Sequence, residues 1–192
     1  MAIYNLLIAA SWLVFIAYWV LLLTHAKPTL RSGWSWRREI GIRIAVLVLV
    51  LVAVHFWRGH HAPRFALRNA INKNQIAGFL GAAVCGSGVI LAVWARRCLG
   101  RNWGMPMSEK ASPELVMNGP YAYIRHPIYA GILLAMIGSA IGQSLLWVMP
   151  LLIAGPYLIY SARREEKLMI ELFPRQYSAY VRHTHMLIPF VL

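Results

Sequence analysis

Residues 127–160 read PIYAGILLAMIGSAIGQSLLWVMPLLIAGPYLIY, and how this run divides decides the fold. The hydrocarbon core of a bilayer, about 30 Å thick, is crossed by about 20 apolar residues in a helix. The run is too long for one crossing, and Gly142-Gln143-Ser144 interrupts it near its middle. It therefore reads as a tight helical hairpin. Gly131, Ala135 and Ser139, with Gly138 and Gly142, are the expected close-contact face of that hairpin, because small residues let helix backbones approach. Pro150 and Pro156 are expected to kink the second arm, a distortion that neighbouring helices tolerate. Just before the hairpin stands Gly119-Pro120-Tyr121-Ala122-Tyr123-Ile124-Arg125-His126. Pro127 lacks the N–H that a first-turn residue leaves unpaired, so it marks the start of the helix. His126, preceding a proline, is pushed toward an extended conformation. Arg125 and His126 then lie at the mouth of the helix, with Tyr129 one turn inside.

The whole chain is 59% hydrophobic and 13% charged over 192 residues. A soluble domain carries about 45–50% apolar and about 25% charged residues. The apolar excess falls in runs of bilayer-spanning length, which gives an all-α integral membrane protein, a single domain over 1–192. The net charge of +13 is scattered between the apolar runs rather than clustered with aromatic residues, which argues against nucleic acid as a partner. The two cysteines, Cys85 and Cys98, have no metal-ligand spacing and are too few for a disulfide framework. No metal is expected.

The first span is read over residues 3–24, retained rather than cleaved because no Lys or Arg precedes it and the run exceeds a signal peptide's apolar region. The second, 40–57, carries Arg43 near its start, where a long side chain reaches the interface. The adjacent His60 and His61 in the following loop have no acidic or cysteine companion and read as a solvated loop. The third span, 75–94, contains Gly78, Ala82 and Gly86 at four-residue spacing, a packing stripe. These three spans form an N-terminal part, 1–94. The second part, 95–192, holds a polar connection, the hairpin and a charged tail. Leu168, Leu172 and Phe173 fall at helical spacing in that tail, as do Met169, Phe173 and Tyr177, giving an amphipathic helix that Pro174 interrupts.

The Lys and Arg residues fall four, four, five, none and five over successive connections and the tail, with Arg43 inside a span. The side richer in these residues faces the cytoplasm. Five spans with the N-terminus outside follow, in what reads as a bacterial inner membrane. The mouth of the hairpin and the tail then share the cytoplasmic face.

On that face Arg125, His126 and Tyr129 meet Arg163, Arg164, Glu165 and Glu166, since a hairpin returns its end to its beginning. Three of the chain's six acidic residues, Glu165, Glu166 and Glu171, lie in this tail. A surface ion pair of the carboxylates with Arg163 or Arg164, worth little, is the structural alternative to a site.

Gly-Pro-Tyr-x-Tyr-x-Arg-His-Pro-x-Tyr-x-Gly at 119–131, with Arg164-Glu165-Glu166, Leu168, Phe173, Tyr177, Tyr180 and Ile188-Pro189, resembles the isoprenylcysteine carboxyl methyltransferase and phospholipid methyltransferase group. Leu99-Gly100 and Trp103 fit the same pattern, and Pro174 departs from it, since a glycine usually follows the phenylalanine. The resemblance covers about half of the chain, the first three spans matching in topology only. It implies S-adenosylmethionine as cofactor, held by Gly119, Tyr121, Tyr123, His126, Tyr129, Arg164 and Glu165. It also implies direct methyl transfer, with the protein orienting the reactants and excluding water. The chemistry of these side chains is compatible: a carboxylate suits an ammonium or a ribose diol, a guanidinium suits a carboxylate, and tyrosine rings suit a cation. Arg125 is expected to orient the acceptor, and Glu166 to serve as base if the acceptor is an amine or thiol.

The implied substrate is a lipophilic small molecule or lipid entering from the bilayer, an isoprenylcysteine-like carboxylate or a lipid amine among the candidates. No Gly-rich dinucleotide loop follows a strand, which excludes a soluble Rossmann-type methyltransferase. Two other readings compete: an NADPH-dependent membrane reductase of the sterol-reductase type, and a non-enzymatic membrane scaffold.

Overall fold

The structure, a computed structural model, describes residues 2–22, 74–102 and 114–187. Among them run α1 (Ile3–Leu21), α2 (Gln75–Leu99), α3 (Pro127–Gly142), α4 (Val148–Leu172) and α5 (Pro174–His183). Short 3-10 turns occupy Gly100–Asn102, Gly119–Ala122 and Leu145–Trp147. There is no strand among the described residues, in keeping with the all-α reading. The expected second span, Arg43, His60, His61, Trp103 and residues 188–192 lie outside the described residues.

Both α1 and α2 are long and apolar enough to cross a bilayer. The 16 residues of α3 are apolar but reach only about 24 Å at about 1.5 Å per residue. The second arm, α4, runs 25 residues; it is apolar to Tyr160 and then continues as one helix through Arg163, Arg164, Glu165 and Glu166. The charged tail therefore begins inside the last arm of the hairpin rather than after it. The arms separate at Gly142–Ser144, where the sequence places the break. Asn74 starts α2, its Oδ1 accepting from the Ile76 N–H at 3.0 Å. Helix α2 extends past Trp94 to Leu99, because Arg96 and Arg97 suit the negative end of the helix dipole. Gly100, at φ 54°, ends it.

The closest contact lies between α2 and α3. A Cβ on Gly81 would stand 2.3 Å from Gly142 N, one on Gly88 2.5 Å from Ala135 N, and one on Gly138 2.3 Å from Cys85 N. Backbone meets backbone there, and only glycine permits it. One expectation is corrected: the small face of α3 meets α2 rather than the other hairpin arm. The line on α2 that meets it is Gly81, Cys85, Gly88 and Ala92, while Gly78 and Ala82 of the expected packing stripe turn to α1. The reason is periodicity: steps of four, three and four stay on one line of a 3.6-residue helix, whereas repeated steps of four drift about 40° each. Gly78 accordingly faces the Tyr4 ring of α1, and Gly86 has only Ser11 Oγ near, at 3.8 Å.

Helix α1 is tied to this pair by a polar contact amid apolar surroundings. Trp12 Nε1 donates to Ser139 Oγ at 3.0 Å, and the Trp12 ring stacks on Trp147 with centroids 5.4 Å apart. The Ser139 hydroxyl donates in turn to Ala135 O at 2.9 Å. Such bonds satisfy groups that hydrocarbon cannot.

Candidate functional site

The approach to α3 is shaped by residues 119–126. Gly119 sits at φ 60°, and a Cβ there would stand 2.6 Å from Cys98 Sγ, so both conformation and space call for glycine. The 3-10 turn Gly119–Ala122 buries Pro120 and Tyr121. Tyr180 of α5 donates its hydroxyl to Tyr121 O at 2.6 Å. Burial pushes the Tyr180 phenol up to about 12, which keeps it a donor.

After α5 the chain returns alongside the motif. His185 N donates to Tyr123 O at 3.1 Å, Arg125 N to His185 O at 2.8 Å and His126 N to Met186 O at 3.0 Å, around a parallel bridge between Ile124 and His185. These bonds hold His126 outside the helical region, at φ −123° and ψ 60°; Pro127 keeps it from the α conformation, though it stops short of the fully extended one expected. They fix where Arg125 and His126 present their side chains.

Five side chains then converge. Arg125 Nε donates to Glu166 Oε1 at 2.6 Å. Arg125 Nη1 donates to Thr184 O and lies 3.5 Å from Val181 O. Those carbonyls belong to the C-terminal end of α5, where they have no intrahelical partner, so one guanidinium closes α4, α5 and the motif together. Tyr129 OH donates to Glu165 Oε1 at 2.6 Å. His126 Nδ1 stands 3.5 Å from Glu165 Oε2, and Nε2 stands 3.4 Å from Glu166 Oε1. The His126 and Tyr129 rings are parallel within 4°, centroids 5.5 Å apart. Tyr129 and Glu165 have further interactions besides these.

Electrostatics follow from the geometry. Burial alone would push the His126 imidazole down, but Glu165 and Glu166 outweigh it and hold its pKa above the ordinary value. Burial would likewise raise Glu166, but His126 and Arg125 outweigh it and hold the carboxyl below the usual range. The cluster is thus two cations against two carboxylates, charges that tolerate burial only when paired. At the cluster, two buried polar atoms nevertheless lack a hydrogen-bond partner: His126 Nε2, which is off the bonding direction of Glu166, and Ser161 Oγ, one turn before Glu165 on the same face of α4. Orphaned buried polar groups are costly, and two of them beside paired carboxylates suit a polar ligand.

Of the residues singled out in the sequence, Arg125, His126, Tyr129, Glu165 and Glu166 are brought together. Gly119 and the buried Tyr121 shape the approach to α3. Tyr123 is 70% exposed, and Arg164 is exposed on the outer face of α4, so neither joins the cluster. Thr184 and Ser161 were not legible as parts of it, since neither stands at a spacing that signals a site, while Tyr180, part of the sequence motif, braces the approach to α3 rather than joining the cluster.

The sequence profile described as phospholipid methyltransferase matches residues 76–176, just over half of the chain. The chain belongs to this family. The matched residues hold α2, the helical hairpin and all five clustered side chains. It is a member of the phospholipid methyltransferase family with two described helices long and apolar enough to cross a bilayer.

Among curated proteins, the chain is 27% identical over 167 residues to the nickel-cobalt-cadmium resistance protein NccN of Alcaligenes xylosoxydans xylosoxydans, covering 85% of this chain and 70% of that one. It is 32% identical over 160 residues to the cobalt-zinc-cadmium resistance protein CzcN of Cupriavidus metallidurans, covering 80% and 64%. A solved structure of the eukaryotic intramembrane Ras methyltransferase, isoprenylcysteine carboxyl methyltransferase, aligns at 21% identity and a TM-score of 0.44, covering 83% of this chain and 54% of that one.

Proposed function

We propose that the protein transfers a methyl group from S-adenosylmethionine to a lipophilic acceptor at the membrane face that carries the five-residue cluster. The observation that carries this reading is the convergence of Arg125, His126 and Tyr129 with Glu165 and Glu166 around the orphaned Nε2 of His126. When bound, the cofactor supplies an activated methyl on a sulfonium, with an ammonium, a carboxylate and a ribose diol as handles. The side chains fit it. Glu165 suits the ammonium or the diol, and the His126 imidazolium, whose Nε2 faces Glu166 at 3.4 Å without a hydrogen bond, suits the carboxylate. Tyr129 holds Glu165 in place through its hydroxyl. Ser161 Oγ offers a further polar contact.

Arg125 and Glu166 have a positioning role in this arrangement. A carboxylate held below its ordinary pKa by a guanidinium is a weak proton acceptor, so Glu166 serves to aim Arg125. Arg125 keeps Nη2 clear of hydrogen bonds to any described residue, and this edge is the one that orients a polar or anionic acceptor. An acceptor that is itself an anion needs no base.

The membrane placement follows charge. Five spans with the N-terminus outside put the cluster on the cytoplasmic face, where Lys and Arg concentrate. The 16 residues of α3 and the apolar part of α4, residues 148–160, rise about 24 Å and about 20 Å, less than the hydrocarbon core, which sets the cluster near the acyl boundary and within lateral reach of a lipid-borne acceptor.

Equilibrium binding in detergent tests the reading. Saturable S-adenosylmethionine binding, weakened at least tenfold by Glu165→Gln, supports it. Saturable NADPH binding without S-adenosylmethionine binding contradicts it and favours the reductase.

A further inference from the structure

The outward face of α4 changes character along its length. Taken at 100° per residue, Met149, Ile153, Tyr157, Tyr160, Arg163, Arg164 and Lys167 fall within an arc of about 120°, and all of them are exposed. Read from the N-terminal end, the arc is apolar, then aromatic, then cationic. That order matches one bilayer leaflet passed from acyl chains through the interface, where tyrosine concentrates, to the phosphates. Ile153 and Arg163 are about 15 Å apart along the axis at about 1.5 Å per residue, half of a hydrocarbon core of about 30 Å.

The neighbouring carboxylates do not neutralise this face. Glu166 lies off the arc, about 60° beyond Arg163, and is bound to Arg125, and Glu165 turns to Tyr129. No hydrogen bond or ion pair joins Arg163, Arg164 or Lys167 to a described residue. Glu171 follows one turn beyond, the only acid on the arc.

We infer that Arg163, Arg164 and Lys167 form a binding face for anionic phospholipid headgroups, separate from the methyl-transfer cluster on the opposite side of the same helix. Two guanidiniums one residue apart, with an ammonium one turn on, match phosphate oxygens in charge and in donor geometry. The tyrosines below them seat the glycerol and upper acyl region. A lipid is favoured over a soluble polyanion because the cations continue an apolar and aromatic face rather than standing on a polar one. The inference requires only that the chain lies in a membrane and is independent of the cofactor and the acceptor.

The test uses the full-length protein in neutral detergent, with dioleoylphosphatidylglycerol and dioleoylphosphatidylcholine as probes, and reads retained lipid by native mass spectrometry alongside thermal unfolding. One basic residue near an anionic surface adds about fivefold to partitioning, so three give roughly a hundredfold preference for the anionic lipid in low salt. The preference should shrink as salt rises. R163Q/R164Q/K167Q should abolish it, and R163K/R164K, which keeps the charge, should retain most of it. If the triple variant does not fold, the preference of the wild type and its salt dependence decide. Equal retention of both lipids by the wild type, an undiminished preference in the triple variant, or a response to soluble polyglutamate in place of the lipid overturns the inference.

Discussion

Arg125 donates through Nε to Glu166 Oε1 at 2.6 Å, joining the mouth of one hairpin arm to the end of the other across 41 residues of sequence. Both side chains are largely buried, and the same guanidinium reaches the final carbonyls of α5. Removing one partner leaves a buried charge uncompensated, which costs about 3 kcal/mol. Arg125→Gln and Glu166→Gln should each lower the thermal midpoint in detergent by several degrees. The double variant should lose clearly less than the two single losses combined, because contacting residues couple. Strict additivity would show that the pair is incidental.

The same cluster sets a pH window. His126 has a raised folded-state pKa, so its contribution to stability is fully present below its unfolded value of about 6.5 and is lost as pH rises through the folded one. Glu166 has a lowered folded-state pKa, so its contribution is present above its unfolded value of about 4.5 and is lost as pH falls through the folded one. Thermal stability should therefore decline on both sides of a plateau. His126→Gln should flatten the alkaline decline and Glu166→Gln the acid one. An alkaline decline unchanged in His126→Gln would place the titration elsewhere.

The contact of α2 with α3 gives a sharp contrast between glycines. Gly138→Ala sets a Cβ 2.3 Å from Cys85 N, and backbone cannot yield as a side chain does. A loss of about 3 kcal/mol is expected. Gly86→Ala meets only Ser11 Oγ at 3.8 Å and replaces a helix-interior glycine, so it should be neutral or stabilising by about 0.5 kcal/mol. Unfolding of the two variants in detergent checks both signs.

Tyr180→Phe removes the donor to Tyr121 O and should cost about 1 kcal/mol of stability, with S-adenosylmethionine affinity reduced only slightly. Tyr129→Phe removes one of the bonds that hold Glu165 and should weaken that affinity about tenfold at a similar cost in stability. Equal effects of the two variants on binding would remove the distinction between a support and a wall of the site.

Much of this architecture was legible because periodicity and length are strong signals. The break at Gly142–Ser144, the start of α3 at Pro127 and the meeting of Arg125 with Glu166 all follow from apolar run lengths and hairpin closure. What was not legible depends on which side of a helix a residue faces after packing. Gly81 and Gly88, which the sequence did not single out, line the contact with α3 while Gly78 turns to α1, because a few tens of degrees decide the partner. Arg164 stands next to Glu165 in sequence, yet 100° of rotation carries it to the outer face. Thr184 enters the site through a main-chain carbonyl, which no residue type encodes.

The central claim is tested most directly by methyl transfer itself. Protein purified in detergent, given tritium-labelled S-adenosylmethionine and a total lipid extract, should move label into the organic phase. Counts should be at least tenfold above those of Glu165→Gln measured alongside. No transfer above that variant from a folded wild-type preparation, together with saturable NADPH binding, would contradict the account.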